Sequence, residues 1–343
     1  MVPALAVADA LRARGAEPVF FGGERAEAEL VPEAGYELRT LPLSGIDRRN
    51  PLKAARACGR AGRAVALARR HLREIDADAF VGGGGYAAGP VGLAAATLRV
   101  PIALCEADSH LGLANRLLAP LAGRVFLAFP IDGRDGGKYR VVGRAVPGGA
   151  GLADRGDARA RLGVPPDRMC VLVFGGSLGA RSINEAAVEA FGADTRGLAV
   201  LHACGRRDAE WLSRRLEQLG SAPGYLLRPW IHPFADALAA ADLVVARAGG
   251  SVLELAAAGL PAILVPYPHA TADHQTGNAR WMAEGGAAVV VPDGELTPAR
   301  LAVEVGLLLG DPSRLQAMAH ASAALARPHA ARDIARVVLA AAS

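Results

Sequence analysis

The chain has 343 residues, 52% hydrophobic and 21% charged, which excludes a disordered chain or a disulfide-stapled miniprotein and suits about two domains at ~150 residues each. The 38 basic residues exceed the 34 acidic ones by four, too mild an excess to imply nucleic acid without a basic patch interleaved with aromatic rings. Cys58, Cys105, Cys170 and Cys204 form no C-x-x-C pair and have no histidine at metal-ligand spacing, so a reduced, cytosolic, zinc-free protein is expected.

The chain opens directly into a predicted helix, Leu5–Arg14, with no apolar segment of a secretory signal before it. Strands follow at Glu17–Phe21, Ala79–Val81, Ile102–Cys105 and Val125–Ala128, with helices at Leu52–Glu74 and Gly89–Arg99 between them. Short apolar runs ending in glycine, alternating with Ala/Leu/Arg segments of helical period, are the pattern of a parallel sheet covered by helices. This half closes around Val141–Val146, and Pro147, Gly148, Gly149 and Gly151 read as a linker. A second half places strands at Cys170–Phe174, Ala199–Ala203, Tyr225–Arg228, Leu243–Ala246, Ala262–Val265 and Ala288–Val291. The expected fold class is α/β: two doubly wound domains, 1–147 and 148–343, with ligands in a cleft at the carboxyl ends of the strands. Apolar stretches such as Ala87 to Cys105 are broken by Gly, Pro or Arg before the ~18–20 residues of a bilayer span, so any membrane is met from its surface.

Three strand ends in the second half carry chemistry. Gly175-Gly176-Ser177-Leu178-Gly179 turns a strand into a helix, which suits either a phosphate against unpaired N–H groups or a tight turn with a capping serine. In Arg247-Ala248-Gly249-Gly250-Ser251-Val252-Leu253-Glu254, Glu254 is either the carboxylate of a capping box with Ser251 or an acceptor for ribose hydroxyls. Tyr267 to Asn278 is a polar loop in which Asp273 and Gln275 suit sugar hydroxyls and His269 or His274 a diphosphate.

In the first half, Gly82-Gly83-Gly84-Gly85-Tyr86 follows a strand and reads as a flexible turn or a nest for an anionic acceptor. Cys105-Glu106-Ala107-Asp108-Ser109-His110 gathers titratable groups at another strand end, candidates for acid/base work or hydroxyl binding. Nine basic residues, Arg48 to Arg73, with Leu52, Val65 and Leu67 among them, read as a solvated helix face or a surface for an anionic leaflet. The run has no aromatic residue, against a stacking platform for nucleic acid.

Pro3-Ala4-Leu5-Ala6-Val7-Ala8, Gly84-Gly85-Tyr86 with Gly89-Pro90, Gly112 with Asn115, Gly175 to Arg181, and Gly259-Leu260-Pro261 through Asp273-His274-Gln275 with Asn278 stand in one order. Over nearly the whole chain that set resembles the family-28 glycosyltransferases of the MurG type, which add N-acetylglucosamine to lipid I. The resemblance implies a GT-B fold of two Rossmann-like domains, the first for the acceptor and the second for UDP-N-acetylglucosamine. It assigns Ser177 to the donor phosphates, Ile231 to the uracil, Glu254 to the ribose and Gln275 to the sugar, with Asp108, Gly250, Ser251, Val252 and Leu253 also at the donor. Gly84, Gly85 and Tyr86 fall to the acceptor. It implies no cofactor and no metal, with positive helix ends meeting the departing UDP. The implied partners are UDP-N-acetylglucosamine, undecaprenyl-linked lipid I and an anionic membrane surface through the Arg48–Arg73 segment, with no nucleic acid, at the cytoplasmic face of the plasma membrane.

The sequence departs from that pattern in several places. The family's opening strand and Gly-Gly-Thr-Gly-Gly-His loop, with its proposed general-base histidine, would precede Val2-Pro3. Met1 is therefore expected to be an internal start, and Glu106 is the remaining candidate for the base. The family's His-Glu-Gln-Asn stands as Cys105-Glu106-Ala107-Asp108, its Asn-Pro-Val-Arg as Arg144-Ala145-Val146-Pro147, and the Arg247–Glu254 loop is one residue short. Competing expectations are a GT-B transferase for another acceptor, a nucleotide-sugar 2-epimerase, and a noncatalytic nucleotide-sugar-binding module.

Overall fold

Pro3 in the first turn of the opening helix leaves no helical hydrogen bond unmade, since that turn has no carbonyl for its missing N–H. The computed structural model describes residues 1–24, 26–42, 51–145, 153–176 and 179–342, without the side chains of residues 2, 26 and 51–61. Ser177, Arg48, Arg49 and the linker residues Pro147, Gly148, Gly149 and Gly151 lie outside the described residues, as do the side chains of Leu52, Lys53, Arg56 and Arg60. Two units divide the chain, Met1–Pro147 with Arg327–Ser343, and Gly148–Ala326.

The first unit runs α1 (Val2–Arg12), β1 (Val19–Gly22), α2 (Ala26–Glu33), β2 (Glu37–Thr40), α3 (Pro51–Glu74), β3 (Phe80–Gly82), α4 (Gly85–Leu98), β4 (Ile102–Glu106), α5 (Leu113–Leu118), β5 (Arg124–Leu127) and β6 (Tyr139–Val141). Where one doubly wound sheet is expected, the described residues form two parallel sheets, a β1-β2 pair and a four-stranded β3-β4-β5-β6. The helix predicted from Gly89 begins at Gly85 instead. Gly84 and Gly85 have φ of 76° and 75°, values that glycine alone adopts readily, where the chain turns from β3 into α4.

The second unit runs α6 (Arg155–Leu162), β7 (Cys170–Phe174), α7 (Arg181–Phe191), β8 (Ala199–Ala203), α8 (Ala209–Gln218), β9 (Tyr225–Arg228), α9 (Phe234–Ala240), β10 (Leu243–Ala246), α10 (Val252–Ala257), β11 (Ala262–Leu264), α11 (His274–Glu284), β12 (Ala288–Val290), α12 (Pro298–Leu309) and α13 (Pro312–Leu325). Its six strands are parallel in the order β12-β11-β10-β7-β8-β9. All five residues of β7 are buried, because a strand covered on both faces has no polar side. Val171, Val173, Ile183, Phe191, Leu212 and Leu301 share that core, each fully buried large side chain worth ~1.5–3 kcal/mol. The chain leaves β7 toward β8 and β9, and β10 toward β11 and β12, so its direction across the sheet reverses between β7 and β10. In open α/β sheets a crevice for ligands forms at that reversal, outside the carboxyl ends of the strands.

α14 (Ala330–Ala342) belongs to the first unit. Ile334, Ala335 and Val338 lie on one of its faces and pack with Ala6, Val7 and Leu11 of α1 and Phe126 of β5. The second domain, expected to run 148–343, therefore ends at residue 326. Among the described residues no helix is long and apolar enough to cross a membrane.

Candidate functional site

The turn after β7 ends at Gly179, which is held closely against the end of β8. Gly179 has φ of 76°, and a Cβ there would stand 2.3 Å from the Cys204 carbonyl oxygen, so no other residue fits without moving β8. Beneath the loop, Asn184 of α7 donates from Nδ2 to the Cys204 carbonyl at 2.9 Å and to Asp208 Oδ2 at 3.0 Å. Both are pure acceptors, so Asn184 Oδ1 must be what faces His202 Nε2 at 3.0 Å. Nε2 therefore carries the proton, and the Tyr225 hydroxyl, 2.8 Å from Nδ1, donates to it. Burial pushes the His202 pKa down to about 3, which fixes the neutral imidazole this chain requires. Arg181 opens α7 beside the loop, stacked 3.8 Å from the Trp211 ring centre and 3.6 Å from Asp208 Oδ1.

The loop leaving β10 is fastened by a buried arginine. Arg247 donates from Nη1 to the Val265 and Pro266 carbonyls, both at 3.2 Å, and to Asp293, and from Nη2 to Ser182 Oγ at 2.9 Å. Ser182 donates in turn to Asp293 Oδ1 at 2.6 Å. One planar guanidinium thus ties the ends of β10 and β11 to the first turn of α7. Asn278 of α11 adds a bond from Nδ2 to the Ala248 carbonyl at 3.0 Å.

Of the residues assigned to the donor, Val252 and Leu253 have buried side chains, and their N–H groups donate to the Gly249 and Gly250 carbonyls. Neither offers a ligand a side chain or that N–H. Gly250, Ser251 and Glu254 are half-buried on the same turn. Ser251 precedes α10 without a side-chain capping bond, so the capping box is not formed by its hydroxyl. Gln275 Oε1 accepts from the Tyr267 N–H at 3.0 Å, and its amide nitrogen faces Gly249, 4.0 Å from where a Cβ would be. Ile231 is packed at 4% exposure, whereas its neighbour Trp230 is 51% exposed. The side chain presented there is the indole.

In the first unit the acids serve as braces. Glu106 Oε1 accepts from the Ala107 and Asp108 N–H groups at 2.9 and 3.3 Å, and Oε2 from the Gly112 N–H and Asn115 Nδ2 at 2.8 and 2.9 Å. With four donors on two oxygens, this carboxylate shapes the 107–112 loop and holds no open position for a substrate proton. Asn115 also donates to the Cys105 carbonyl at 3.0 Å and stands 3.5 Å from where a Cβ on Gly84 would be. Glu27, unmarked by any sequence signal, accepts from the Tyr86 hydroxyl and from the Gly23 N–H at 2.9 Å. Asp108 is half-buried on the loop that Glu106 holds.

The basic segment is only partly described. Arg63, Arg70 and Arg73 are exposed, with Arg70 2.9 Å from Glu74. Val65 and Leu67 pack against the core, so they form no apolar docking face. Exposed leucines occur elsewhere in the unit, at Leu113, Leu117 and Leu121 (42%, 67% and 52% exposed). Among the described residues no group of three or more His, Cys, Asp or Glu is placed to hold a metal.

A family model described as the glycosyltransferase family 28 N-terminal domain matches residues 1–127, and one for the C-terminal domain of the same family matches residues 170–335. The chain is 41% identical over 350 residues to the UDP-N-acetylglucosamine–N-acetylmuramyl-(pentapeptide) pyrophosphoryl-undecaprenol N-acetylglucosamine transferase of Moorella thermoacetica, covering 98% of this chain and 94% of that protein. It is 40% identical to the Nitrosococcus oceani protein of the same name, over 99% of this chain and 95% of that one. Among solved structures, MurG of Acinetobacter baumannii superposes with a TM-score of 0.79 at 29% identity, covering 98% of this chain and 95% of that one.

Proposed function

The chain belongs to glycosyltransferase family 28, and we propose that it transfers N-acetylglucosamine from UDP-N-acetylglucosamine to the N-acetylmuramic acid of lipid I, making lipid II for peptidoglycan. Its fold is of the GT-B class. Relatives named for that reaction are about 40% identical over almost the whole chain. The observation that carries the reading is the reversal of strand order between β7 and β10, where both departing loops are pinned from beneath.

On this reading the turn at Gly175 to Gly179, with Ser177, and the start of α7 receive the diphosphate. The positive end of α7 favours an anion there. Glu254 takes the ribose hydroxyls, Gln275 the sugar, and the 230–231 corner the base, with Trp230 as its exposed ring. Gly84, Gly85 and Tyr86 belong to the acceptor. The acceptor's 4-hydroxyl attacks the anomeric carbon and releases its proton to solvent, the bond from that carbon to the UDP oxygen breaks with its electron pair leaving on UDP, and the configuration inverts. Charge growing on the departing diphosphate is met by fixed N–H dipoles, so the reaction is proposed to proceed without a metal. Glu106 acts by holding its loop, not as the base.

The protein is proposed to work at the membrane surface without spanning it. Leu113, Leu117 and Leu121 recur every fourth residue on one side of α5 and the turn after it, flanked by Arg116 and Arg124, which suits contact with an anionic leaflet as the Arg48–Arg73 segment does. Incubating the protein with labelled UDP-N-acetylglucosamine and a short-chain lipid I analogue tests the reaction. Label in the lipid product, undiminished by a chelator, is expected; label released as free sugar, or transferred only to non-lipid acceptors, would contradict it.

A further inference from the structure

His202 is fully buried in β8, and no step of the proposed transfer touches it. A buried imidazole is a poorer core side chain than leucine unless both of its nitrogens are satisfied. Here both are: the Tyr225 hydroxyl of β9 donates to Nδ1 at 2.8 Å, and Nε2 donates to Asn184 Oδ1 of α7 at 3.0 Å. The bonds run in one direction across three elements and end on Asn184, whose Nδ2 donates to the Cys204 carbonyl at 2.9 Å and to Asp208 Oδ2 at 3.0 Å. Both arms of that fork lead to the turn after β7. The Cys204 carbonyl oxygen is the atom against which Gly179 is set, 2.3 Å from where a Cβ would lie. Asp208 is buried and stands 3.6 Å from Nη1 of Arg181, the first residue of α7. Among the described residues the bond from His202 is the one that Asn184 Oδ1 receives.

Resting on the donor reading above, we propose that His202 is a positioning residue for UDP-N-acetylglucosamine, acting through Asn184 on the end of β8 and the start of α7 that together place the diphosphate turn. Without the imidazole N–H, Asn184 Oδ1 is a buried acceptor with nothing to accept from, and the amide must turn or shift to find a donor. Either movement gives up bonds to the Cys204 carbonyl and Asp208, and Gly179 and Arg181 lose the surfaces that place them. A neutral histidine suits the position because its rigid ring carries one donor and one acceptor on separate edges. It moves no proton in the transfer, since both of its nitrogens are committed within the core. Its loss therefore falls on donor binding and not on the chemical step.

Calorimetric titration of UDP, together with initial rates at varied UDP-N-acetylglucosamine, tests the role on variants of the whole protein held well below their thermal midpoints. His202→Leu fills the space without the N–H. It is expected to bind UDP about tenfold more weakly and to raise the KM for the donor by the same factor, with kcat and the KM for the lipid acceptor within about twofold of the parent. His202→Gln returns an N–H to the place of Nε2 and should recover most of that loss. Leu308→Ala is the control, a buried core residue near the end of α12 and outside the chain of bonds; it should lower stability and leave UDP affinity at the parent level. Equal UDP affinity in His202→Leu and the parent would overturn the role of His202 alone. The same loss in Leu308→Ala, or no recovery in His202→Gln, would also overturn it, because general loosening of the core would then be the cause. A parent that binds no UDP would overturn the donor reading and this role with it.

Discussion

The two units organise their strand ends in opposite ways. In the second, donor side chains beneath the loops, Asn184 and Arg247, supply the bracing, with Asp208 and Asp293 among their acceptors, and Glu254 and Gln275 stand on the turns above. In the first, the acids are the braces: Glu106 gathers four donors and Glu27 holds Tyr86 and Gly23. A carboxylate at a strand end is therefore no guide to proton transfer until its partners are known.

Breaking the second unit's clamp should have the largest effect. Arg247→Met leaves Asp293 and Ser182 without their shared donor, and unfolding by urea should show a loss of about 3 kcal/mol together with weaker UDP binding. Unchanged stability would mean the guanidinium is not the tie. Glu106→Gln sharpens the contrast from the other side. Trading a charged acceptor for an amide that presents N–H to N–H donors should cost about 2 kcal/mol, and activity should fall through a raised KM. A general base would instead lose kcat at full stability.

The His202 chain makes a prediction about pH. Unfolded, this histidine takes up a proton near its ordinary value of 6.5, whereas the folded one resists down to about 3. Its contribution is therefore complete above 6.5 and is lost as pH falls below it, at about 1.4 kcal/mol per pH unit. Urea titrations at several pH values should show that slope between roughly pH 6.5 and 5 and its absence in His202→Gln; identical slopes would contradict it. The smallest effect belongs to Ser251→Ala. Without a side-chain capping bond, it should alter the thermal midpoint by less than the ~1 kcal/mol of a working cap.

The second unit was the more legible in sequence because its strands are buried on both faces. Cys170–Phe174, Ala199–Ala203, Tyr225–Arg228 and Leu243–Ala246 appear with the predicted bounds. The first unit hid β2, a four-residue strand with charge at Glu37 and Arg39, and α2, whose apolar period is too short to read. Amphipathic spacing in α14 marks a buried face but carries no sign of which unit buries it. The braces escaped because they join distant positions: Arg247 and Asp293 are 46 residues apart, Glu27 and Tyr86 59. Only folding brings the Gly112 N–H and Asn115 onto Glu106, so its spacing advertised chemistry where its surroundings give support.

Calorimetric titration of UDP into the protein and into Glu254→Ala most directly tests the claim that the second unit's strand ends hold the donor nucleotide. The account predicts UDP binding to the parent and a loss of about ten- to a hundredfold in the variant, the ~1.5–3 kcal/mol of hydroxyl bonds to a charged acceptor. Equal affinity in the two proteins, or no binding to the parent, would contradict it.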